Sequence, residues 1–402
     1  MQFDVVIAGG GPAGLSAAWA AAQGGARVAV LEKSREIGYP IHTSGASWID
    51  ELERLDIPGR FMFPITEGVF TTGRETAFFQ YAQPPACILD VRGLYQYLGE
   101  LASEAGAEIF VDTAVTEAIF EDGRLAGVEA RRRGRRQTFR APILIDASGC
   151  AAVLARRAGL SRGFTRVGVG AEYDLYAPRW PARRVAFLFG SRFAPCGYAW
   201  VFPHRNGRVR LGVGLIRPDT TEDPRTYLDR LLDDATLFDG QLHRASRLEF
   251  HVGTIPSEPA LRRTVHDGLL VVGDAGGLIS TLLGEGIRFA IDIGRMAGRV
   301  AAEAVARGRY DAAFLRRFEN AWRRKYGHVF RLGAWVNRRL ARYSDAQWDR
   351  RIRSLAALEP RWVPILLKGE LTPKNVTRLL QSHPRFFKQA FLLTLKSRLK
   401  IA

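Results

Sequence analysis

Residues 5–14 read VVIAGGGPAG, a short apolar run followed by glycines in the GxGxxG spacing at Gly9, Gly11 and Gly14. Residues 15–23 continue in Ala-rich sequence that favours a helix. Such glycines let the chain turn tightly, let backbone N–H groups approach a pyrophosphate and let the helix pack closely on the strand. Because the first turn of a helix carries partial positive charge, the sequence predicts a dinucleotide-binding strand, turn and helix.

An acidic residue follows the next apolar run and strengthens this prediction. Residues 27–31 read RVAVL and end at Glu32, whose carboxylate can accept hydrogen bonds from a ribose. A GxGxxG spacing in an arbitrary loop would carry little weight, and an apolar N-terminus is also typical of a signal peptide. Here Asp4 precedes the run, glycines interrupt it and no basic segment leads it. The order of elements therefore favours the dinucleotide site.

The charge of the chain is unusual for a globular protein. The 402 residues allow two or three domains, and the formal net charge is +17. Such a charge suits nucleic acid, an anionic membrane surface or an anionic substrate. The arginines are scattered, the run at residues 131–136 is typical of a solvated hairpin turn, and no nucleic-acid-binding motif accompanies them. We therefore expect no nucleic-acid partner.

Cysteine usage and hydropathy bear on the compartment. The three cysteines, Cys87, Cys150 and Cys196, show no CxxC spacing, so neither a disulfide framework nor a metal site is expected. No stretch approaches the roughly 18 apolar residues that span a bilayer. These observations favour the reducing cytoplasm.

A second glycine-rich element lies far downstream, after the buried-strand sequence GLLVV at residues 268–272. Asp274 follows this strand, and its carboxylate can accept a hydrogen bond from a ribityl chain. Gly284, Gly286 and Ile287 open a further helix, whose first N–H groups can point at the O2 side of a flavin ring. Because a protein that binds only NAD does not need this element, the sequence predicts FAD as the cofactor.

These elements together resemble the FAD-binding framework shared by flavoprotein hydroxylases, halogenases and geranylgeranyl reductases. The resemblance rests on the GxGxxG turn with Glu32, a small-residue turn at residues 146–149 and the pair Gly273-Asp274, and it covers essentially the whole chain in order. It implies an α/β fold, in which a Rossmann-type FAD-binding domain carries an inserted antiparallel β-sheet substrate domain and a C-terminal helical segment. From the motifs and by position in this framework, the residues expected to contact FAD are Gly9, Gly11, Ala13, Gly14, Glu32, Lys33, Thr43, Ser44, Ala46, Arg92, Val115, Asp274, Gly284, Gly286 and Ile287. For Arg92, an ordinary place at the surface start of a helix is the alternative.

A second motif narrows the resemblance to the geranylgeranyl reductase family. Residues 198–203 read YAWVFP, and after eight residues GVG follows at 212–214, which is similar to the YxWxFP and GxG signature of that family. Because side chains alternate along a strand, Tyr198, Trp200 and Phe202 share one face and can wall a long isoprenoid beside the flavin. The substrate residues expected are Tyr198, Trp200, Phe202, Pro203, Gly212 and Gly214, with the two glycines leaving room for the substrate. The alternative is that these aromatic residues are ordinary core.

The chain departs from the family in the loop after Glu32. The family places a cysteine in a PxxC pattern there, whereas this chain has Pro40, Ile41, His42 and Thr43. His42 is the nearest titratable residue and is our candidate for delivering a proton, although a lone loop histidine is more often structural.

Other departures concern the reaction class. Hydroxylases carry Asp-Gly where this chain has Ser148-Gly149, which weakens a hydroxylase reading and leaves the electron donor open between NADPH and a ferredoxin. Thr281 and Leu283 replace a proline and a threonine common in the later loop. The resemblance implies an FAD-dependent reductase that saturates double bonds of a prenyl chain by hydride transfer from reduced flavin. A flavin-dependent monooxygenase or halogenase is the alternative, followed by a non-enzymatic protein that keeps FAD as a structural element.

The expected parts follow the chain. The FAD-binding domain comprises residues 1–60, 90–160 and 262–310, the β-rich substrate domain 61–89 and 161–261, and a basic helical segment 311–402. In the last element, 384–402, the apolar residues Phe387, Phe391, Leu395 and Leu399 accompany Lys388, Lys396, Arg398 and Lys400. This pattern predicts either a helix at an anionic membrane, at its inner face, or a helix packed on the other domains.

Overall fold

The computed structural model describes residues 1–370 and 373–382. Its strands are β1 (Val5–Ala8), β2 (Val28–Leu31), β3 (Ala46–Trp48), β4 (Met62–Ile65), β5 (Glu67–Thr71), β6 (Thr76–Gln80), β7 (Ala86–Leu89), β8 (Glu108–Phe110), β9 (Thr113–Glu121), β10 (Arg124–Arg132), β11 (Arg135–Arg140), β12 (Ile143–Asp146), β13 (Val167–Tyr176), β14 (Arg184–Leu188), β15 (Gly197–Pro203), β16 (Arg208–Arg217), β17 (Ser246–Pro256), β18 (Val265–His266) and β19 (Leu269–Val271). Its α-helices are α1 (Pro12–Gln23), α2 (Ile49–Glu53), α3 (Val91–Glu104), α4 (Val153–Arg157), α5 (Pro224–Asp233), α6 (Ile287–Arg307), α7 (Ala312–Leu340), α8 (Asp345–Ala356), α9 (Trp362–Lys368) and α10 (Pro373–Ser382).

A six-stranded sheet in the order β18-β19-β12-β1-β2-β8 holds the N-terminal glycine turn. All its pairs are parallel except β18 with β19. All four residues of β1 are buried, as are those of β2, because both faces of a parallel sheet are covered. On one face α1 packs against α6, where Gly298 comes so close that a Cβ atom there would lie 2.2 Å from the carbonyl oxygen of Ala17. The α/β fold expected from the glycine turn is confirmed.

The arginine run forms a hairpin on the other side of this sheet. β9, β10 and β11 make a three-stranded sheet, and Arg132 of β10 pairs with Arg135 of β11. Apolar residues of β10 and β11, such as Val128 and Phe139, pack with the outer face of β1. The hairpin predicted for residues 131–136 is confirmed.

A seven-stranded sheet in the order β17-β13-β16-β15-β14-β5-β6 forms the β-rich part. Its pairs are antiparallel except β14 with β5, which run parallel because β5 and β6 enter the sheet from an earlier segment of the chain. The neighbouring β4 and β7 pair instead with β3 in a separate small sheet. The segment 61–89 thus contributes to two sheets, and the predicted domain boundaries stay a prediction.

The helices α6 to α10 follow β19, the last strand of the six-stranded sheet along the chain. α7 begins after Asp311, whose side chain accepts a hydrogen bond from the backbone N–H of Phe314, and α8 begins with a capping box formed by Ser344 and Gln347. The amphipathic element predicted at residues 384–402 lies outside the described residues. Across the part of the chain that is described, the helices are too short or too polar to cross a bilayer.

Candidate functional site

The glycine turn between β1 and α1 has the shape of a phosphate-binding cradle. Gly9 has a φ of 115°, and a Cβ atom there would lie 2.2 Å from the carbonyl oxygen of Ala147, while one at Gly14 would lie 2.0 Å from that of Gly9. At Gly11, by contrast, a Cβ atom would meet no atom of the described chain within 4 Å. No side chain of the described residues caps α1, so its first N–H groups face this open space. These residues therefore fit a pyrophosphate.

Glu32 stands beside this cradle at the end of β2. Its Oε2 accepts a hydrogen bond of 2.7 Å from the backbone N–H of Gly10, and its Oε1 accepts one of 2.7 Å from that of Ser34. Since a carboxylate has further lone pairs, Glu32 can still accept from a ribose. Of the other predicted contacts, Ala13 is buried under α6, whereas Lys33 is exposed.

Arg92 and Val115 are the two residues that were expected to contact FAD by their position in the framework. Arg92 makes an ion pair with Glu36, with 2.5 Å between Nε and Oε1, and half of its side chain is exposed. Val115 is a half-buried residue of β9, opposite Ala130 of β10. Their contact with FAD stays a prediction.

The second glycine-rich element closes on the loop that carries Ser47 and Trp48. Glu285, between Gly284 and Gly286, is buried and accepts hydrogen bonds from the indole N–H of Trp48 at 3.0 Å, the hydroxyl of Ser47 at 3.3 Å and Nε of Arg288 at 2.7 Å. Burial raises the pKa of Glu285, although the charge and hydrogen bond of Arg288 oppose this rise. Sequence reasoning quoted Glu285 only as part of a motif, because Ser47 and Trp48 are more than 230 residues away from it.

Asp274 lies in the turn after β19. Burial raises the pKa of this carboxyl from 3.8 to about 6. Gly286 forms the N-terminal end of α6, and Ile287 is the first helical residue, without a side-chain cap among the described residues. The carboxyl of Asp274 and the free N–H groups of α6 are donors and acceptors of the kind that a flavin and its ribityl chain require.

A cavity of about 440 Å³ opens next to these elements. Its walls come from the loop 42–48, the loop 281–287, the seven-stranded sheet and α7 to α9. Most of the lining side chains are apolar, among them Phe70, Val185, Phe187, Phe189, Tyr198, Trp200, Phe202, Trp348, Ile352, Leu355, Val363 and Leu367. The arrangement joins an expected flavin site to a long apolar chamber.

The aromatic row lies along this cavity. Tyr198, Trp200 and Phe202 project from one face of β15, with ring centroids 5.6 Å apart for the first pair and 6.2 Å for the second. The Tyr198 hydroxyl donates to the carbonyl of Leu283 at 2.5 Å, which links the row to the loop before Gly284. The shared face that the alternating sequence predicted for these three rings is thus present, while their contact with a substrate stays a prediction.

Gly212 and Gly214 of β16 lie opposite this row and differ in what fills the space beside them. Gly212 pairs with Trp200, and a Cβ atom there would lie 2.2 Å from the indole, so the room it leaves is filled by Trp200. Gly214 pairs with Tyr198 and lines the cavity. Pro203 and Gly212 do not line it among the described residues. The indole of Trp200 thus fills the space beside Gly212, and substrate contacts of Pro203, Gly212 and Gly214 stay a prediction.

The loop with the proton-donor candidate packs against β17. Nδ1 of His42 is 2.9 Å from the carbonyl oxygen of Val252, and Gly253 allows the backbone of His42 to approach closely. The His42 side chain is exposed, and His42, Thr43, Ser44 and Ala46 all contribute to the cavity wall. Its role in proton delivery stays a prediction.

Beneath Trp200 lies a buried charged cluster that sequence reasoning missed. Glu172 accepts the indole N–H of Trp200 at 2.7 Å, and its Oε1 is 3.2 Å from Nδ1 of His251. Nε2 of His251 is 3.0 Å from Oε2 of Glu249. Glu249 and His251 are two residues apart on β17 and therefore share one face. This spacing was the one sequence feature that could have pointed to the cluster.

Within the described residues, no group of three or more His, Cys, Asp or Glu side chains is arranged to hold a metal ion. Cys87, Cys150 and Cys196 are free thiols. Burial raises the pKa of Cys87 to about 12, so this thiol stays protonated at neutral pH.

Comparison with known protein families agrees with these features. Residues 4–172 match the FAD dependent oxidoreductase family, and residues 169–255 match the geranylgeranyl reductase catalytic domain. The chain is 34% identical to digeranylgeranylglycerophospholipid reductase 2 of Methanothermobacter thermautotrophicus over 96% of this chain and 97% of that protein. It is 31% identical to the protein of the same name from Methanopyrus kandleri, over 97% and 99% of the two chains.

Solved structures with lower identity share the fold. A geranylgeranyl bacteriochlorophyll reductase-like protein from Thermoplasma acidophilum superposes with a TM-score of 0.86 at 23% identity, covering 96% of this chain and 98% of that one. A myxobacterial chondrochloren halogenase gives a TM-score of 0.66 at 20% identity, covering 92% and 98%. Taken with the sequence identities above, these matches mean that the chain belongs to the geranylgeranyl reductase family of FAD-dependent oxidoreductases.

Proposed function

We propose that this enzyme saturates carbon–carbon double bonds in the prenyl chains of a polar lipid of the digeranylgeranylglycerophospholipid type. The observation that carries the proposal is the apolar cavity, which begins at the loops 42–48 and 281–287 and continues along the aromatic row to α8 and α9. A hydrocarbon chain of twenty carbons buried there would gain on the order of 16 kcal/mol before the costs of association, at about 0.8 kcal/mol per carbon. The names of the relatives supply the lipid class.

The residues that would hold FAD are distributed around the cradle and the cavity. The turn at Gly9, Gly11 and Gly14 and the start of α1 would bind the pyrophosphate, Glu32 a ribose, and Asp274 with the start of α6 the flavin half. When bound and reduced, FAD supplies a hydride, which carries one hydrogen and two electrons, and the second hydrogen of each saturated bond arrives as a proton.

The chain itself orients the alkene and excludes water. Tyr198, Trp200 and Phe202 present a continuous aromatic wall along which a prenyl chain can lie, and the Tyr198 hydroxyl is occupied by Leu283 and so leaves the wall apolar. Fixing the reacting carbons in this way lowers the entropic part of the barrier. The electron donor, NADPH or a ferredoxin, would be external, since the chain has no second GxGxxG turn.

The test is anaerobic and uses product masses. The purified FAD-loaded protein is reduced with dithionite and mixed with geranylgeranyl diphosphate, with digeranylgeranylglycerophospholipid or with a lipid extract. We expect a gain of two mass units for each saturated bond. No gain, followed by an oxygenated or halogenated product once air and halide are admitted, would contradict the proposal.

A pair of variants on α8 links this activity to the cavity. Leu355 lines the cavity, whereas the neighbouring Ala356 is exposed. Leu355→Trp should therefore lower saturation of a twenty-carbon chain more than that of a ten-carbon chain, because the added ring shortens the chamber. Ala356→Trp is the matched control and should behave as the wild type for both chain lengths.

We also propose that the protein contacts an anionic membrane surface through β17. Leu248, Phe250 and Val252 are exposed by 43–48% on this edge strand, and the guanidinium of Arg225 lies 5.0 Å from the Phe250 ring centroid. Exposed apolar side chains flanked by basic residues are typical of membrane-surface binding, at about 1 kcal/mol per basic residue. A lipid substrate would enter from such a surface.

Vesicle co-sedimentation tests this contact. We expect binding to phosphatidylglycerol vesicles that weakens with salt, weak binding to phosphatidylcholine vesicles, and a loss of binding in Phe250→Ser. Phe78→Ser is the control, since Phe78 is 50% exposed on the opposite edge strand β6. Equal binding of both variants and the wild type would contradict a contact through β17.

A further inference from the structure

A run of hydrogen-bonded ionisable side chains leads from the surface of the seven-stranded sheet to the cavity. Glu249, whose side chain is 39% exposed, contacts His251 at 3.0 Å, and His251 contacts Glu172 at 3.2 Å. His251 and Glu172 are only 7% and 5% exposed, and both line the cavity. One end of this run therefore meets solvent and the other meets the chamber.

Charged and polar groups on three neighbouring elements surround the run. From β16, Arg208 pairs with Glu249 at 3.4 Å and with Asp174 of β13 at 2.8 Å, and Arg210 lies near both Glu172 and His251. From the loop 42–48, the Ser44 hydroxyl donates to Glu172, and the Ser44 carbonyl accepts from Arg210 at 2.7 Å.

This environment favours the protonated form of His251. Burial alone would lower the pKa of His251, but its hydrogen bonds to Glu172 and Glu249 outweigh burial and raise the pKa above its ordinary value, against the charge of Arg210. For Glu172, burial alone would raise the pKa, and the contacts with His251 and Arg210 lower it instead. These contacts therefore favour an imidazolium between two carboxylates over the neutral ring.

Several of the other acids that line the cavity are poorly suited to supply a proton, while His42 stays a separate candidate. Burial raises the pKa values of Tyr81, Tyr198 and Cys87, so these groups hold their protons tightly. Glu285 is tied to Arg288, Trp48 and Ser47. Each saturation nevertheless consumes one proton that must come from outside an apolar chamber.

We propose that Glu249, His251 and Glu172 form a proton-transfer chain that carries this proton from solvent to the prenyl substrate, an inference that rests on the proposed function. The Nδ1–H bond of His251 breaks and an O–H bond forms on Glu172, while Nε2 retains its own proton. The O–H bond of Glu172 then breaks as a C–H bond forms on the alkene carbon opposite the one that receives the hydride. The neutral ring then turns about its Cβ–Cγ bond, so that its unprotonated nitrogen faces Glu249. A hydronium ion of the solvent protonates Glu249, whose O–H bond breaks as the N–H bond forms on that nitrogen. The imidazolium is thereby restored, and no electrons pass through the chain. In this scheme Glu172 is the catalytic residue, and His251 and Glu249 act through it.

The first test is the pH profile of saturation by the dithionite-reduced holoenzyme. We expect the wild-type rate to fall as the pH rises through the pKa of His251, because the resting imidazolium is lost there. Glu249→Gln removes one of the two carboxylates that raise this pKa and should move the falling limb to lower pH. His251→Asn should lower the rate by about 100-fold, the lower end of what a positioned acid contributes.

The control variant replaces a carboxylate that is as exposed as Glu249 but lies outside the hydrogen-bonded run. Asp229 of α5 is 38% exposed and pairs with Arg225 of the same helix and with Arg247 of β17, so Asp229→Asn removes an equally accessible carboxylate outside the run. Its profile should match that of the wild type. If the limb of Glu249→Gln coincides with that of the wild type, the chain is refuted, since a merely structural role would change the amplitude and leave the limb in place.

A second test needs neither lipid nor turnover. The protein has seven histidines, and selective ¹⁵N labelling with His251→Asn as the assignment control identifies the His251 signals. We expect His251 to titrate above the ordinary value of about 6.5 and to titrate lower in Glu249→Gln. An ordinary titration that Glu249→Gln leaves unchanged overturns the chain even if lipids are reduced. Failure of the wild type to saturate any prenyl lipid instead overturns the proposed function, and with it the substrate end of the chain.

Discussion

Gly212→Ala is expected to damage the cavity wall by displacing the indole of Trp200. A Cβ atom at this position would lie 2.2 Å from the indole, and the indole is held in place by its 2.7 Å hydrogen bond to the buried Glu172. To make room for the Cβ atom, the indole must shift away from Gly212, and this shift weakens its hydrogen bond to Glu172. Overpacking costs about 1–3 kcal/mol, and loss of a hydrogen bond to a charged group costs about 1.5–3 kcal/mol, so partial relaxation gives about 2–5 kcal/mol in the free energy of unfolding.

The matched control is a second glycine that faces the same ring. At Gly170, on β13, a Cβ atom would lie 3.6 Å from the indole, which is ordinary contact. Gly170→Ala should change the free energy of unfolding by less than about 1 kcal/mol, since alanine also restricts the unfolded chain. Urea unfolding of both variants, followed by circular dichroism, measures the difference. Equal midpoints for Gly212→Ala and Gly170→Ala would show that the glycine is not required by the ring, and the steric argument would fail.

Further predictions concern the cofactor site. Gly14→Ala should destabilise the FAD-free protein, because its Cβ atom would lie 2.0 Å from the carbonyl oxygen of Gly9. Gly11→Ala should leave the FAD-free protein intact and weaken FAD binding, because its Cβ atom would fill the open space of the cradle. Thermal unfolding measures the first effect, and FAD titration measures the second. Asp274 has a pKa raised from 3.8 to about 6, so the folded FAD-free protein binds the proton more tightly than the unfolded chain. Stability should therefore fall as the pH rises from about 4 through about 6, and Asp274→Asn should remove that fall in melting temperature measured against pH.

The sequence predicted those parts of the fold that depend on contacts between residues close together in the chain. The turn at residues 9–14 requires its glycines through contacts with neighbouring backbone, and Glu32 bonds to Gly10 and Ser34 close by. The alternation of Tyr198, Trp200 and Phe202 likewise predicts a shared face, because the pleat alone decides it.

The remaining features depend on which distant segments meet. The parallel pairing of β5 with β14 joins residues more than 100 positions apart, and the pairing of β4 with β7 in another sheet has no local signal. Gly212 leaves room for Trp200 only because β15 and β16 pair in one register. The contact of Glu172 with His251 spans 79 positions, so the charged cluster appears only once β13 and β17 are paired.

The position of β1 inside the six-stranded sheet has a consequence for biosynthesis. β1 lies between β2 and β12, and the sheet is completed by β19 and covered by α6, which begins at Ile287. At about 5–20 residues per second, a ribosome makes the residues between Gly14 and Ile287 in roughly 15–60 seconds. During that interval the glycine cradle has left the ribosome while the helix that covers it does not yet exist. Stable loading of the flavin must therefore follow synthesis of α6, and a nascent chain halted before Ile287 would present an unprotected apolar sheet to chaperones.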